Sequence, residues 1–157
     1  MRGQLTLRAT DQEGRILEER VYKNRIVRAG RLLVAQMFGG VSAGPTPTKV
    51  THLAVGTGSA APTDDDTALK AEVARKAISS ISFKDVTETS PTGEAVKRVV
   101  VTVSAVYDFA EANGTTPLRE AGVFNAASGG VMYNRVVFDP VTKTNTFKLT
   151  LLWDIYF

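Results

Sequence analysis

The chain contains no cysteine, which excludes a disulfide framework, a thiolate metal site and a cysteine nucleophile together. It has a single histidine, His52, and no G-x-S-x-G elbow that would make it the base of a serine triad. No apolar run approaches the roughly 18 residues of a spanning helix, so no membrane partner is expected. The opening residues, MRGQLTLRATDQEG, lack the apolar stretch of a signal peptide, so synthesis and folding in the cytoplasm are expected. An excess of charge is missing too. Lysine and arginine number 19 against 16 acids, a net charge of +3. That is too little to imply a nucleic-acid partner without a concentrated patch. The densest basic stretch, Lys23, Arg25, Arg28 and Arg31, reads as a solvated helix face.

What is present is a β-rich pattern. With 157 residues, 43% of them hydrophobic, the chain suits one domain over 1–157 with a real core. The last stretch, Leu118 to Phe157, is cut into three strands by Ala127-Ser128-Gly129-Gly130 and by Asp139-Pro140-Val141-Thr142. Its final piece alternates: Phe147, Leu149, Leu151, Trp153, Ile155 and Phe157 share one face. Lys148, Thr150, Asp154 and Tyr156 share the other. A row of large apolar groups at period two needs a second layer to cover it.

Upstream, residues 1–23 read as a hairpin around Asp11-Gln12-Glu13-Gly14, with Leu17 and Val21 turned inward. Asn24 is placed to cap a helix over about 26–38, mostly covered, which Gly39-Gly40 stops. Loops follow at 39–49, with Pro45 and Pro47, and at 56–65. Val50 to Val55 reads as a strand. Asp64-Asp65-Asp66 is placed to cap a short second helix over about 66–73. Ile78 to Val86, with Ile81 and Phe83 in phase, and Arg98 to Phe109 read as further strands. The expected fold is therefore mainly β, an antiparallel β-sandwich with one covering helix and one short helix.

Chemistry is sparse. Gly56-Thr57-Gly58 lacks both the remaining glycine of a dinucleotide fingerprint and the Gly-Lys-Ser/Thr of a phosphate loop, so it reads as a tight turn. The three aspartates lack the spacing of a calcium loop. Glu120 lies between apolar neighbours on a strand, near Arg119 and Arg135, and is expected to pair with an arginine as a structural anchor, Arg135 being the candidate. No catalytic residue, metal ligand or cofactor is assigned. Tyr133, Trp153, Tyr156 and Phe157 are the candidates for an assembly interface, because a terminus ending WDIYF implies that it is held.

The order of motifs resembles a group of small bacteriophage structural proteins encoded among tail, baseplate and tail-fibre genes. The hairpin leads to Lys23-Asn24-Arg25-Ile26-Val27-Arg28-Ala29-Gly30-Arg31-Leu32-Leu33-Val34-Ala35, a K-N-x-[IV]-V-x-x-G-R-x-L-[LV]-A pattern. HLAVGTGSAAPTDDDTALKAEV, His52 to Val73, follows. Then come LREAGVF, Leu118 to Phe124, and the closing LTLLWDIYF. The resemblance implies a non-enzymatic virion component that works by multi-copy assembly, with other virion proteins and copies of itself as partners. Two alternatives stay open: a receptor- or carbohydrate-binding module using Tyr107, Tyr133 or Tyr156, and a capsid decoration protein.

Overall fold

The computed structural model describes residues 1–40 and 47–157. The expected loop with Pro45 lies mostly outside the described residues. The described elements are β1 (Arg2–Thr10), β2 (Ile16–Ile26), α1 (Arg28–Gly39), β3 (His52–Gly56), β4 (Glu72–Ala77) and β5 (Ser80–Thr89), followed by β6 (Ala95–Tyr107), β7 (Leu118–Phe124), β8 (Met132–Val141) and β9 (Lys148–Tyr156). They form one antiparallel sheet in the order β4-β3-β7-β8-β2-β1-β9-β6-β5.

Two separate sheets are therefore not what the chain builds. The long strand β2 runs beside β1 and then, at Arg25 and Ile26, pairs with Arg135 and Asn134 of β8. That join makes one sheet of two halves, and the sheet curls until its halves share a core. Leu5, Leu7, Val103, Leu151 and Trp153 from one half cluster with Leu53, Val55, Val123 and Val136 from the other. Tyr107 of β6 spans the core, and its hydroxyl donates to the Leu53 carbonyl at 2.8 Å.

The alternation of β9 is realised: Leu149, Leu151, Trp153 and Ile155 are buried, with half-buried residues between them. The Trp153 indole Nε1 donates to Asn24 Oδ1 at 3.1 Å. Asn24 is thus a β2 residue serving the core and not a helix cap. In β2, Leu17 and Val21 are exposed, contrary to the expected inward face. Opposed residues of an antiparallel pair share a face, and the buried Leu5 and Leu7 of β1 oppose Tyr22 and Arg20. It is these even-numbered residues that turn in.

Helix α1 starts at Arg28 after an extended Val27 and ends at Gly40, whose φ of 64° closes it in the left-handed region. It lies on β8 through Gly30. A Cβ there would fall 1.9 Å from the Tyr133 carbonyl oxygen, so only glycine permits this approach. The helix is less covered than expected. Leu33 is buried, but Leu32, Met37 and Phe38 are exposed.

No helix forms over 66–73. Leu69 is instead pinned in a small second core with Val27, Ala54, Phe124 and Met132, and Glu72 begins β4. A helix of some eight residues has little stability of its own, because nucleation outweighs its few hydrogen bonds. Tertiary partners decide this segment.

Replacing Trp153, fully buried, with alanine is expected to cost about 3–5 kcal/mol in chemical denaturation. An unchanged midpoint would contradict the placement of the ring at the centre of the shared core.

Candidate functional site

The densest cluster of ionisable groups lies on the outer face of the β7–β8 half, under the chain that runs from β3 to β4. Glu120 of β7 and Arg135 of β8 both project outward, and both are fully buried. The Arg135 Nε donates to Glu120 Oε2 at 2.8 Å, and Nη1 donates to Asp66 Oδ2 at 2.9 Å. Nη2 lies 2.8 Å from Glu120 Oε2 but off the hydrogen-bond angle. One guanidinium thus sits between two carboxylates. The anchor expected from sequence is real, with Asp66 as an added member.

The carboxylate of Glu120 does more than pair. It accepts backbone N–H groups from Gly58 (3.1 Å), Lys70 (3.1 Å) and Ala71 (2.7 Å). The glycines of Gly56-Thr57-Gly58 follow from this. A Cβ on Gly58 would stand 2.4 Å from Glu120 Oε1, and one on Gly56 would stand 2.4 Å from the Ala71 carbonyl oxygen. Within the glycine-rich loop the Gly58 N–H alone faces the anion, and the Lys70 and Ala71 N–H groups complete the cradle. The anion is the protein's own carboxylate.

The aspartates are divided among cations. Asp66, almost fully buried, accepts from the Thr63 N–H and hydroxyl and meets Lys70 Nζ at 2.8 Å. Burial alone would raise its pKa, but the bonds from Lys70, Thr63 and Arg135 outweigh it and hold the carboxyl well below the usual range. Asp64 takes Arg25 at 2.8 Å and Arg31 at 3.4 Å, and these guanidinium groups bring its pKa down to about 2. Two members of the basic stretch therefore tie β2 and α1 to the loop. Among the described residues no three metal-ligating side chains converge. His52 is half-buried, its Nδ1 2.8 Å from Thr51 Oγ1.

A second buried cation had no signal in the sequence. Lys143, in the turn between β8 and β9, places Nζ against the carbonyls of Asp108 (3.0 Å) and Thr144 (2.8 Å) and against Asn113 Oδ1 (3.0 Å). All three protons are used. Burial pushes its pKa down, and the charges of the Asp108 and Glu111 carboxylates oppose that shift only in part. The lysine fastens the β6–β7 connection to the β8–β9 turn.

The interface candidates separate. Trp153 is fully buried in the shared core, and Tyr133 is buried under α1, contributing only to the floor of the apolar groove beside that helix. Tyr156 is half-buried beside a groove of about 220 Å³ that includes Gln4 and Lys23. The Arg2 guanidinium lies 4.3 Å over its ring. Phe157 is exposed and helps line an apolar groove of about 160 Å³ between α1 and the β6–β9 face, with Leu33, Val34, Met37, Val101 and Ile155. Beyond that groove, the β5–β6 ribbon carries Ile81, Phe83 and Val99 into solvent. Sequence reasoning placed Ile81 and Phe83 on one face but did not find that this face is open.

Searches of protein-family models, curated proteins and solved structures found no match to the chain.

Two outcomes follow from the charge cluster. Glu120→Gln leaves the buried guanidinium half-compensated and is expected to cost about 3–5 kcal/mol in urea denaturation at pH 7; a change below about 1 kcal/mol would mean Asp66 alone suffices. The lowered carboxyls of Asp64 and Asp66 bind fewer protons folded than unfolded. Their stabilisation is therefore complete above about pH 4, the ordinary aspartate value, and is lost as pH falls through their lowered values. Unfolding midpoints should drop between about pH 4 and pH 2, and drop less in Asp66→Asn.

Proposed function

We propose that this protein is a non-enzymatic structural component of a tailed-phage or tail-like particle, most consistent with a tail, baseplate or fibre-attachment position and acting through multi-copy assembly. The observation that carries the reading is apolar surface left uncovered on a well-packed domain. Phe38 is 95% exposed and Phe83 72% exposed, with Ile81, Val99, Met37 and Phe157 also open. Large apolar groups open on several elements of one domain are the kind of surface that another protein covers. The motif order from Lys23 to Phe157 points the same way. The buried ionisable groups Glu120, Asp66, Arg135 and Lys143 hold connections in place, which is what a scaffold asks of them.

A receptor- or carbohydrate-binding module is the second reading, and the groove beside Tyr156, which Arg2, Gln4, Lys23 and Asn24 also line, favours it. Sugar stacking there requires Arg2 to leave the tyrosine ring, since it already occupies one face. Tyr107 and Tyr133 are buried and offer no platform.

Gold-labelled antibody against the chain should decorate purified particles at the tail end, several labels to a particle. Labels confined to the head would transfer the assignment to capsid decoration. Unlabelled particles, or a purified chain whose hydrolase activity is abolished by one carboxylate substitution, would refute a structural role.

A further inference from the structure

We propose that two copies of this chain join edge to edge through β5, in one register centred on Ser82. The inference rests on the assembly reading above and names the surface that serves it.

The sheet ends at β4 and at β5, and the two ends differ. β4 is short, carries Glu72, Arg75 and Lys76, and sits beside a register shift at Val55/Gly56. These features discourage stray pairing at an edge. β5 also carries three charges, Lys84, Asp85 and Glu88, and differs in its length and in its unbroken register. It runs ten residues, pairs with β6 from Ser80↔Ser104 to Thr89↔Ala95 without a shift, and contains no proline. Among the described residues no strand lies on its other side.

The hydrogen-bond phase of β5 is set by its turn, where the Ser90 N–H donates to the Glu94 carbonyl. In an antiparallel ladder bonded and non-bonded pairs alternate. The even-numbered residues of β5 therefore bond to β6. Ile81, Phe83, Asp85 and Thr87 turn their N–H and C=O groups to the open edge. Ile81 and Phe83 are also the residues whose apolar side chains stand in solvent. Free backbone groups and free apolar groups fall on the same residues.

A second copy of β5 added antiparallel is related by a two-fold axis normal to the sheet, so each possible axis passes through one residue. An axis at Lys84 or Asp85 sets like charges opposite each other, which is destabilising. An axis at Phe83 sets Ile81 against Asp85, and one at Ile81 sets Phe83 against Ser79. One at Val86 pairs Lys84 with Glu88 but sets Phe83 against Thr89 and Ile81 against the turn at Pro91. An axis at Ser82 sets Ile81 against Phe83 of the second copy, twice, and leaves Lys84 facing Ser80. This register exchanges the free backbone groups of Ile81 and Phe83 with those of the partner copy, since both are in the outward-bonding phase. It extends the sheet from nine strands in one copy across the two-fold into the other, with an apolar ladder on one face. So short an edge gives a weak contact in solution, strengthened when many copies are held together.

The cysteine-free sequence makes the test direct. In Ser82→Cys the two thiols face each other across a non-bonded pair, where Cα atoms stand about 4.5 Å apart, within disulfide reach. Mild oxidation of Ser82→Cys at high protein concentration should give mainly a disulfide-linked dimer on a non-reducing gel. Thr87→Cys, on the same strand but far from its counterpart in this register, should stay monomeric. Adding Phe83→Lys to Ser82→Cys should lower the dimer yield at least tenfold while leaving the denaturation midpoint near that of Ser82→Cys alone. Equal crosslinking at positions 82 and 87, or none at 82, overturns the proposal. If light scattering of the unmodified chain then still shows oligomers, assembly stands and only the β5 contact falls. A chain that remains monomeric at every concentration and does not crosslink removes both.

Discussion

One guanidinium holds the outer layer of this molecule. Arg135 lies fully buried between Glu120 and Asp66, and a buried cation without both partners is strongly unfavourable. Around that charge triad the chain from Gly56 to Ala71 is drawn onto the sheet. Glu120 takes three of its backbone N–H groups, Asp66 organises its middle, and Leu69 enters the small core beneath. Asp64 then ties β2 and α1 to the same loop through Arg25 and Arg31. The connection needs no secondary structure of its own, because its backbone is satisfied by side chains from β7 and by the strand that follows.

The other constraint is the curl. By pairing with β1 along its length and with β8 at its end, β2 makes one sheet whose halves face each other over Trp153, Tyr107 and Leu53. The sheet is continuous through β2 and ends at β5, beyond which no strand lies among the described residues. The β5–β6 ribbon projects past the core, so residues that would be interior in a closed barrel stay open. The same geometry that buries Trp153 leaves Phe83 exposed, and the assembly reading depends on that asymmetry.

Several parts were legible in the residues. The alternation of β9, the hairpin turn at Asp11–Gly14, the stop at Gly40 and the Glu120–Arg135 pair all rest on neighbours in sequence or on chemistry that admits few solutions. A carboxylate flanked by apolar strand residues has to find a cation. Other parts were not legible. Thr67-Ala68-Leu69-Lys70 carries helix propensity after capping aspartates, yet the N–H groups of Lys70 and of Ala71 after it are claimed by Glu120, far along the chain. Leu17 and Val21 look inward because they are apolar, but the facing of β2 is dictated by β1. Lys143 looks like any turn lysine until the Asp108 and Asn113 loop closes over it.

The sequence by itself determined the β-rich class, the period-two faces of the strong strands, the positions of the tight turns and the need of Glu120 for a cation. Each follows from local sterics and from the cost of burying an unpaired charge. Only the tertiary structure decided that the strands join as one sheet, that the 56–71 segment is a loop clasped by Glu120, and which apolar face is left open. Those outcomes depend on pairings between residues far apart in the chain, and period two reads the same for a core strand as for an uncovered edge. Ile81 and Phe83 carry the pattern of a buried face, and it is the end of the sheet at β5 that leaves them in solvent.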